Sequence, residues 1–210
     1  MSWDSVVDLW DYRRRAAEIY YRLREQGSEN IDVWQGYRRE REELISSHTQ
    51  SALDDSQKQE FEGLPYFDFD PSLRFIARID LEVEGDIFTL PLQDDGDFDM
   101  KRIGRVKFVV GGSTADLAVY WIRGYGGGIF LPFRDMTNQT GQTYGGGRYL
   151  LDSIKGADLG KSGERIVLDF NYAYNPSCAY NSRWHCPLAP QENWLTVPLM
   201  AGEMVYPKPK

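Results

Sequence analysis

Leu73-Arg74-Phe75-Ile76-Ala77-Arg78-Ile79-Asp80-Leu81-Glu82-Val83 decides the fold class of this chain. Leu73, Phe75, Ala77, Ile79, Leu81 and Val83 alternate with Arg74, Arg78, Asp80 and Glu82, the period of two of a half-buried β-strand. Strand-like segments recur downstream. Glu84-Gly85-Asp86 reads as a turn into Ile87–Leu92. Ile103–Val110, Gly111-Gly112-Ser113 and Leu117–Ile122 read as a second hairpin. Further strands are expected at Ile129–Phe133, Arg165–Asn171 and Leu195–Met200. No helical pattern intervenes, which favours a mostly antiparallel barrel or sandwich over a parallel sheet.

Upstream the period is helical. Val6, Leu9, Trp10, Ala16, Ala17, Tyr20 and Leu23 share one face of a helix over Trp3–Gln26, with Ser2 as N-cap and Gly27 as stop. A second helix is expected from Ile31 to about Ser46, capped by Asn30 or Ser28, with Ile31, Trp34, Leu44 and Ile45 turned inward. Asp55–Phe61 adds a short third. Two helices alone make a poor domain, so they are expected to pack on the sheet. The fold class is α+β: two N-terminal helices on an antiparallel β body. It forms a single domain over residues 1–210, with a helical lead over 1–62 and a β body over 66–206.

The chain has 210 residues, 41% hydrophobic and 14% aromatic, enough for a substantial core. A net charge of -8 argues against a nucleic-acid or anionic-membrane partner, since both need basic clusters. No run approaches the ~20 apolar residues of a membrane span, and no secretory signal opens the chain, so a cytoplasmic location is expected. Gly156-Ala157-Asp158-Leu159-Gly160-Lys161-Ser162 resembles a phosphate-binding loop but is one residue short and leads into a strand, where the phosphate cradle needs a helix. Gly124-Tyr125-Gly126-Gly127-Gly128 likewise runs into a strand. Both read as turns.

The stretch from Phe133 to Asp152 carries more chemistry. Hydrophobic residues stop at Arg134-Asp135, and a loop rich in Thr and Gly follows, bracketed by Arg134 and Arg148. Guanidinium groups hold carboxylate or phosphate in bidentate fashion, and glycine lets a ligand approach backbone N–H groups. Downstream, Asp169 and Asn171 end a strand, and the irregular segment Tyr172–Gln191 mixes turn formers with rings and both cysteines, Cys178 and Cys186. Three readings of the cysteines stand side by side: free thiols, a disulfide, or metal ligands with His185 or His48.

Several of these segments carry a family resemblance: Tyr144-Gly145-Gly146-Gly147-Arg148-Tyr149-Leu150, Leu168-Asp169-Phe170-Asn171, Asn175-Pro176-Ser177-Cys178-Ala179-Tyr180, Cys186-Pro187-Leu188 and Ala201-Gly202-Glu203. Together with Ser47-His48-Thr49-Gln50-Ser51-Ala52-Leu53 and Phe61-Glu62-Gly63-Leu64, they resemble an uncharacterised bacterial and archaeal family, domain of unknown function 1684. Thr49 and Ala52 stand where members of that family usually carry a proline. The resemblance implies no reaction, substrate or cofactor.

The function expected from the residues is the binding of a small polar or anionic molecule in a cleft of the β body. Arg134 and Arg148 are the anion donors, Asp135 and Asn175 polar anchors, and Tyr144 and Tyr180 walls. Thr137, Asp169, Asn171 and Cys178 complete the candidate set. No cofactor and no metal are called for, and the sequence leaves the oligomeric state open. One alternative is an acid–base enzyme in the same cleft, with Asp135, Asp169 or Glu203 as base, Arg148 as charge stabiliser and Cys178 or Tyr144 as nucleophile or acid. Another is an interaction module offering Trp3, Trp10 or Trp34 to a partner.

Overall fold

A computed structural model describes residues 3–81, 86–91 and 97–207. Helix α1 spans Trp3–Gln26 and stops where Gly27 takes φ +83° and its N–H bonds the Leu23 carbonyl. Ser2, the expected N-cap, lies outside the described residues. Helix α2, Ile31–Ser47, is capped by Asn30, whose side chain accepts the Asp32 N–H at 2.8 Å. The two helices form an antiparallel hairpin of unequal arms, 24 residues against 17. Beyond the end of α2 the partners of α1 are polar: His48 to Asp11, Thr49 to Asp8 and Gln50 to Ser5. Val6 and Trp10, expected on the apolar face, are therefore exposed, while Ile19, Tyr20 and Leu23 nearer the hinge are buried. Ile31 is also exposed, in the first turn of α2 ahead of the buried Trp34 and Tyr37. Helix α3, Asp55–Gln59, is shorter than expected and begins with a reciprocal Asp54–Gln57 capping box.

The eight strands are β1 (Arg74–Asp80), β2 (Ile87–Pro91), β3 (Asp97–Val110), β4 (Ser113–Ile122), β5 (Gly128–Phe133), β6 (Arg148–Asp152), β7 (Lys161–Ser162) and β8 (Arg165–Asp169). Among the described residues these strands pair antiparallel, in the order β6-β5-β4-β3-β1-β8-β7, with β2 also on β3. The sheet curls into a half-barrel that is open between β6 and β7. Glu84-Gly85 and Leu92, parts of the expected first hairpin, lie outside the described residues. Between β3 and β4, Gly111 and Gly112 at φ +56° and +78° form the two-residue turn that matches strand twist. A bulge interrupts β3 between Arg102 and Gly104. A Cβ on Gly104 would stand 2.4 Å from the Asp80 carbonyl oxygen, so glycine lets β1 cross closely here. Lys161-Ser162, the end of the phosphate-loop lookalike, pairs as β7 with β8.

Three strand readings need correction: Arg165–Asn171 is a strand only as far as Asp169, with Phe170–Tyr172 in a 3-10 turn, and two others differ more. Arg148–Asp152, read as part of a loop, is β6, paired with β5 from Phe133↔Arg148 to Phe130↔Asp152. It is buried at every position, so it shows no alternation for a sequence to reveal. Leu195–Met200, read as a strand, is irregular. Pro198 has no N–H for a ladder, and the segment is tied instead by Leu195 N–H to the Arg134 carbonyl and Met136 N–H to the Val197 carbonyl.

Apolar residues cover both faces of the sheet. Val106, Leu117, Val119, Leu131, Phe133, Leu168 and Phe170 belong to one core. On the other face Met100, Tyr120, Phe130 and Tyr149 pack with Ile19, Leu23, Trp34 and Tyr37 of the helices. Among the described residues, no helix is long and apolar enough to cross a membrane.

Candidate functional site

Asp135 follows the last residues of β5 and caps helix α4, Met136–Gln139. One carboxylate oxygen accepts the Thr137 N–H (2.8 Å), the Thr137 hydroxyl (2.6 Å) and the Leu199 N–H (3.3 Å). The other accepts Arg148 Nη2 at 2.7 Å, and both side chains are fully buried. Arg148 opens β6 directly after Gly147, whose φ of +95° and 2.5 Å virtual Cβ contact with the Phe133 carbonyl oxygen exclude a side chain. Its guanidinium covers the Phe133 ring and donates to the carbonyls of Leu199 (3.1 Å), Glu203 (3.3 Å) and Ala201. Burial pulls its pKa down and Asp135 opposes that pull. Arg148 thus clasps the C-terminal segment to the β body. The loop does not display its hydroxyls outward either: Thr137 and Thr143 are buried and bond each other at 2.7 Å. A buried carboxylate needs donors, and the loop turns inward to supply them. Arg134 remains half-buried, with its guanidinium 4.2 Å above the exposed Trp194 ring.

Asp169 and Asn171 hold the segment that enters β1. Asn171 accepts the Asp70 N–H and donates to the Asp70 carbonyl, both at 2.8 Å, and also donates to Asp169. Burial raises the Asp169 pKa to about 6, against the Asn171 hydrogen bonds and the Arg74 charge. The Asn171 carbonyl accepts Trp34 Nε1 at 3.0 Å, which makes Trp34 a buried anchor and not a surface ring offered to a partner. Trp3 and Trp10 are exposed.

Asn175 and Tyr180 converge on Glu203, which the structure buries completely. One Glu203 oxygen accepts the Asn175 N–H (3.0 Å) and Arg41 Nη2 (3.1 Å), and the other accepts the Tyr180 hydroxyl. Gly202 makes this placement possible: at φ +75°, its virtual Cβ lies 2.6 Å from the Phe170 carbonyl oxygen and 2.7 Å from that of Ala173. The Arg41 guanidinium stands 4.9 Å over the Tyr174 ring. Burial opposes its charge, but Glu203, then Tyr180, Tyr37 and Tyr66, hold its pKa well above the ordinary value. Burial likewise raises Tyr37, Tyr66, Tyr174 and Tyr180, so all stay protonated donors. Among the described residues, four buried polar atoms of this cluster have no hydrogen-bond partner: Arg41 Nε, Tyr66 OH, Tyr174 OH and Asn175 Oδ1. The sequence reading missed Arg41, hidden in the charged run Arg38-Arg39-Glu40-Arg41. Its spacing was the available signal, since Trp34, Tyr37, Arg41 and Leu44 form one helical stripe.

Tyr144 and Cys178 meet one another. The Tyr144 hydroxyl donates to Cys178 Sγ at 3.6 Å, and the Cys178 N–H donates to Cys186 Sγ at 3.3 Å. Both cysteines are free and half-buried. A hydrogen bond from Cys186 brings the Cys178 thiol down to about 7 against the effect of burial, and Cys186 itself is pushed up by giving that bond. His48 faces Asp11, His185 is exposed, and among the described residues no three His, Cys, Asp or Glu side chains are placed to hold a metal ion.

The ten sequence-selected residues therefore fall into groups. Asp135, Thr137 and Arg148 form the clasp; Asn175 and Tyr180 join Glu203; Tyr144 and Cys178 pair; Asp169 and Asn171 brace β1; Arg134 stacks on Trp194. The C-terminal segment joins clasp and cluster, because Arg148 bonds the Glu203 carbonyl while Asn175 bonds its carboxylate. Two surface cavities lie elsewhere. One of about 280 Å³ runs between α1 and α2 past Arg22 and Glu40, and one of about 770 Å³ lies by Arg78, Lys161 and Ile129.

Residues 59–204 match the family described as Protein of unknown function (DUF1684). A solution NMR structure of an uncharacterized protein from Haloarcula marismortui is similar at 33% identity and a TM-score of 0.56, covering 81% of this chain and 91% of that one. No curated protein matches.

Proposed function

The chain belongs to the DUF1684 family of proteins of unknown function, and from that premise we propose that it binds a small polar or anionic molecule at the buried polar cluster around Arg41 and Glu203. The observation that carries this reading is the set of unpartnered buried atoms. Buried polar groups are almost always hydrogen-bonded, and leaving one unmade costs roughly 1–3 kcal/mol. Arg41 Nε offers a donor, Tyr66 OH and Tyr174 OH either role, and Asn175 Oδ1 an acceptor, because Asn175 Nδ2 is committed to the Met204 carbonyl at 2.7 Å. The complement is a molecule carrying both donors and acceptors, such as a hydroxy acid or a polyol. Glu203 already balances the Arg41 charge, which disfavours a multiply charged anion. The net charge of -8 supports a partner that is neither nucleic acid nor anionic membrane. A cytoplasmic setting, where neighbouring cysteines such as Cys178 and Cys186 stay reduced, is part of this proposal.

Native mass spectrometry of the freshly purified chain, followed by thermal-shift screening against hydroxy acids, phosphates and polyols, tests the reading. A ligand at 100 times its Kd adds about 2.7 kcal/mol, a rise of roughly 5–10 °C for a domain of this size. Y174F and N175A should each reduce that rise. A wild-type chain that retains no mass and gains no stability from any of these classes refutes the proposal.

A further inference from the structure

Cys178 and Cys186 form an arrangement separate from the Arg41–Glu203 cluster. Cys178 stands in the short 3-10 turn Ser177–Ala179, and Cys186 returns to it after seven intervening residues. The return is built: Asn181 bonds the Asp54 carboxylate and the Gln57 amide, Arg183 the carbonyls of Ser51 and Leu53, and Trp184 Nε1 the Ala52 carbonyl. These contacts bring Cys186 Sγ within 3.3 Å of the Cys178 backbone nitrogen, whose N–H donates to it. On its other side Cys178 accepts the Tyr144 hydroxyl. Neither cysteine is enclosed, and Gly145 and His185 beside them are exposed.

We propose that Cys178 and Cys186 form a redox-active dithiol that exchanges with small-molecule disulfides, Cys178 as the attacking sulfur and Cys186 as the resolving one. Neighbouring thiols and hydroxyls that bond a sulfur favour its thiolate, and the thiolate is the attacking species. The Tyr144 hydroxyl donates to Cys178 Sγ at 3.6 Å, and the Cys186 thiol beside it pulls the Cys178 thiol down to about 7. The Cys178 thiolate attacks one sulfur of R–S–S–R, forming a mixed disulfide and releasing RS⁻, which takes up a proton. Cys186 then gives its proton to solvent and attacks Cys178 Sγ, which releases the second RS⁻ to be protonated in turn. The sum is protein dithiol plus R–S–S–R giving protein disulfide plus two R–SH.

The probe is glutathione disulfide, added to the full chain, with intact mass read after acid quenching. The wild type should lose two hydrogens and retain no glutathione, at a rate that rises with pH to a plateau past a midpoint near 7. C186S should hold one glutathione, mapped to Cys178, and C178S should react at least tenfold more slowly. A wild type that stays fully reduced at a large excess of glutathione disulfide, or that accumulates stable glutathione adducts, overturns the proposal. The wild-type result decides even if a variant does not fold.

Discussion

Replacing Arg148 by methionine strands the Asp135 carboxylate. The partners stand 2.7 Å apart with both side chains fully buried, so solvent screening gives no reason to discount the interaction. Removing one member of such a pair costs about 3–5 kcal/mol, because the survivor is a buried charge without compensation. The carbonyls of Leu199, Ala201 and Glu203 lose a charged donor as well. Methionine is flexible enough to fill most of the vacated space, which limits any cavity penalty. The expected loss is about 5 kcal/mol, comparable with the whole stability of many domains, and a fall in Tm of roughly 10–20 °C. Urea unfolding followed by tryptophan fluorescence measures it. The double variant R148M/D135N removes the stranded charge and should regain roughly 2 kcal/mol over R148M alone. The reasoning fails if R148M costs less than about 1 kcal/mol at an unchanged m-value, or if the double variant is no more stable than the single.

Asp169, raised to about 6 by burial, penalises the folded state once it ionises. Its unfolded pKa is near 3.9, so stability should fall as pH rises between about 4 and 6, by on the order of 2–3 kcal/mol. D169N should flatten that slope in a Tm-versus-pH series, and a parallel slope in the variant would count against the assignment. G202A must place a methyl against two carbonyl oxygens at 2.6 and 2.7 Å and should lose about 3 kcal/mol or more in chemical denaturation. G111A, with φ +56° and nothing within 4 Å of its Cβ, should lose only about 1 kcal/mol, so equal losses would refute the steric account. N193A removes a buried amide that accepts the Ala118 N–H and donates to the carbonyls of Ala118 and Pro132, bridging β4 to β5. A loss of about 2–4 kcal/mol is expected, with faster amide exchange at Ala118, and an unchanged exchange rate there would argue against the bridge.

Local rules made much of the architecture legible. The α1 boundaries, the Asn30 cap, the Gly111-Gly112 turn and the alternating Leu73–Ile79 segment each depend on residues within one or two turns of chain. β6 escaped because a strand buried on both faces has no periodicity to read. Leu195–Met200 misled because an apolar run resembles a strand until Pro198 and the tie to Arg134 are seen. Asp135 and Arg148 were read from the sequence as separate ligand contacts, a polar anchor and an anion donor, and only distance and burial show that each serves the other. Arg41 lay on the same stripe as Trp34 and Leu44, and its charge disguised it as a surface residue.

What the sequence alone determined is the class of element at most positions: where the period is 3.6, where it is 2, and where glycine or asparagine ends a run. What only the tertiary structure decided is which polar groups face one another. Glu203 meets Arg41 across 162 positions of chain, and Cys178 meets Tyr144 across 34. Periodicity extends over neighbours a few residues apart, whereas an ion pair or a thiol–phenol contact is set by the packing of segments with no shared local pattern.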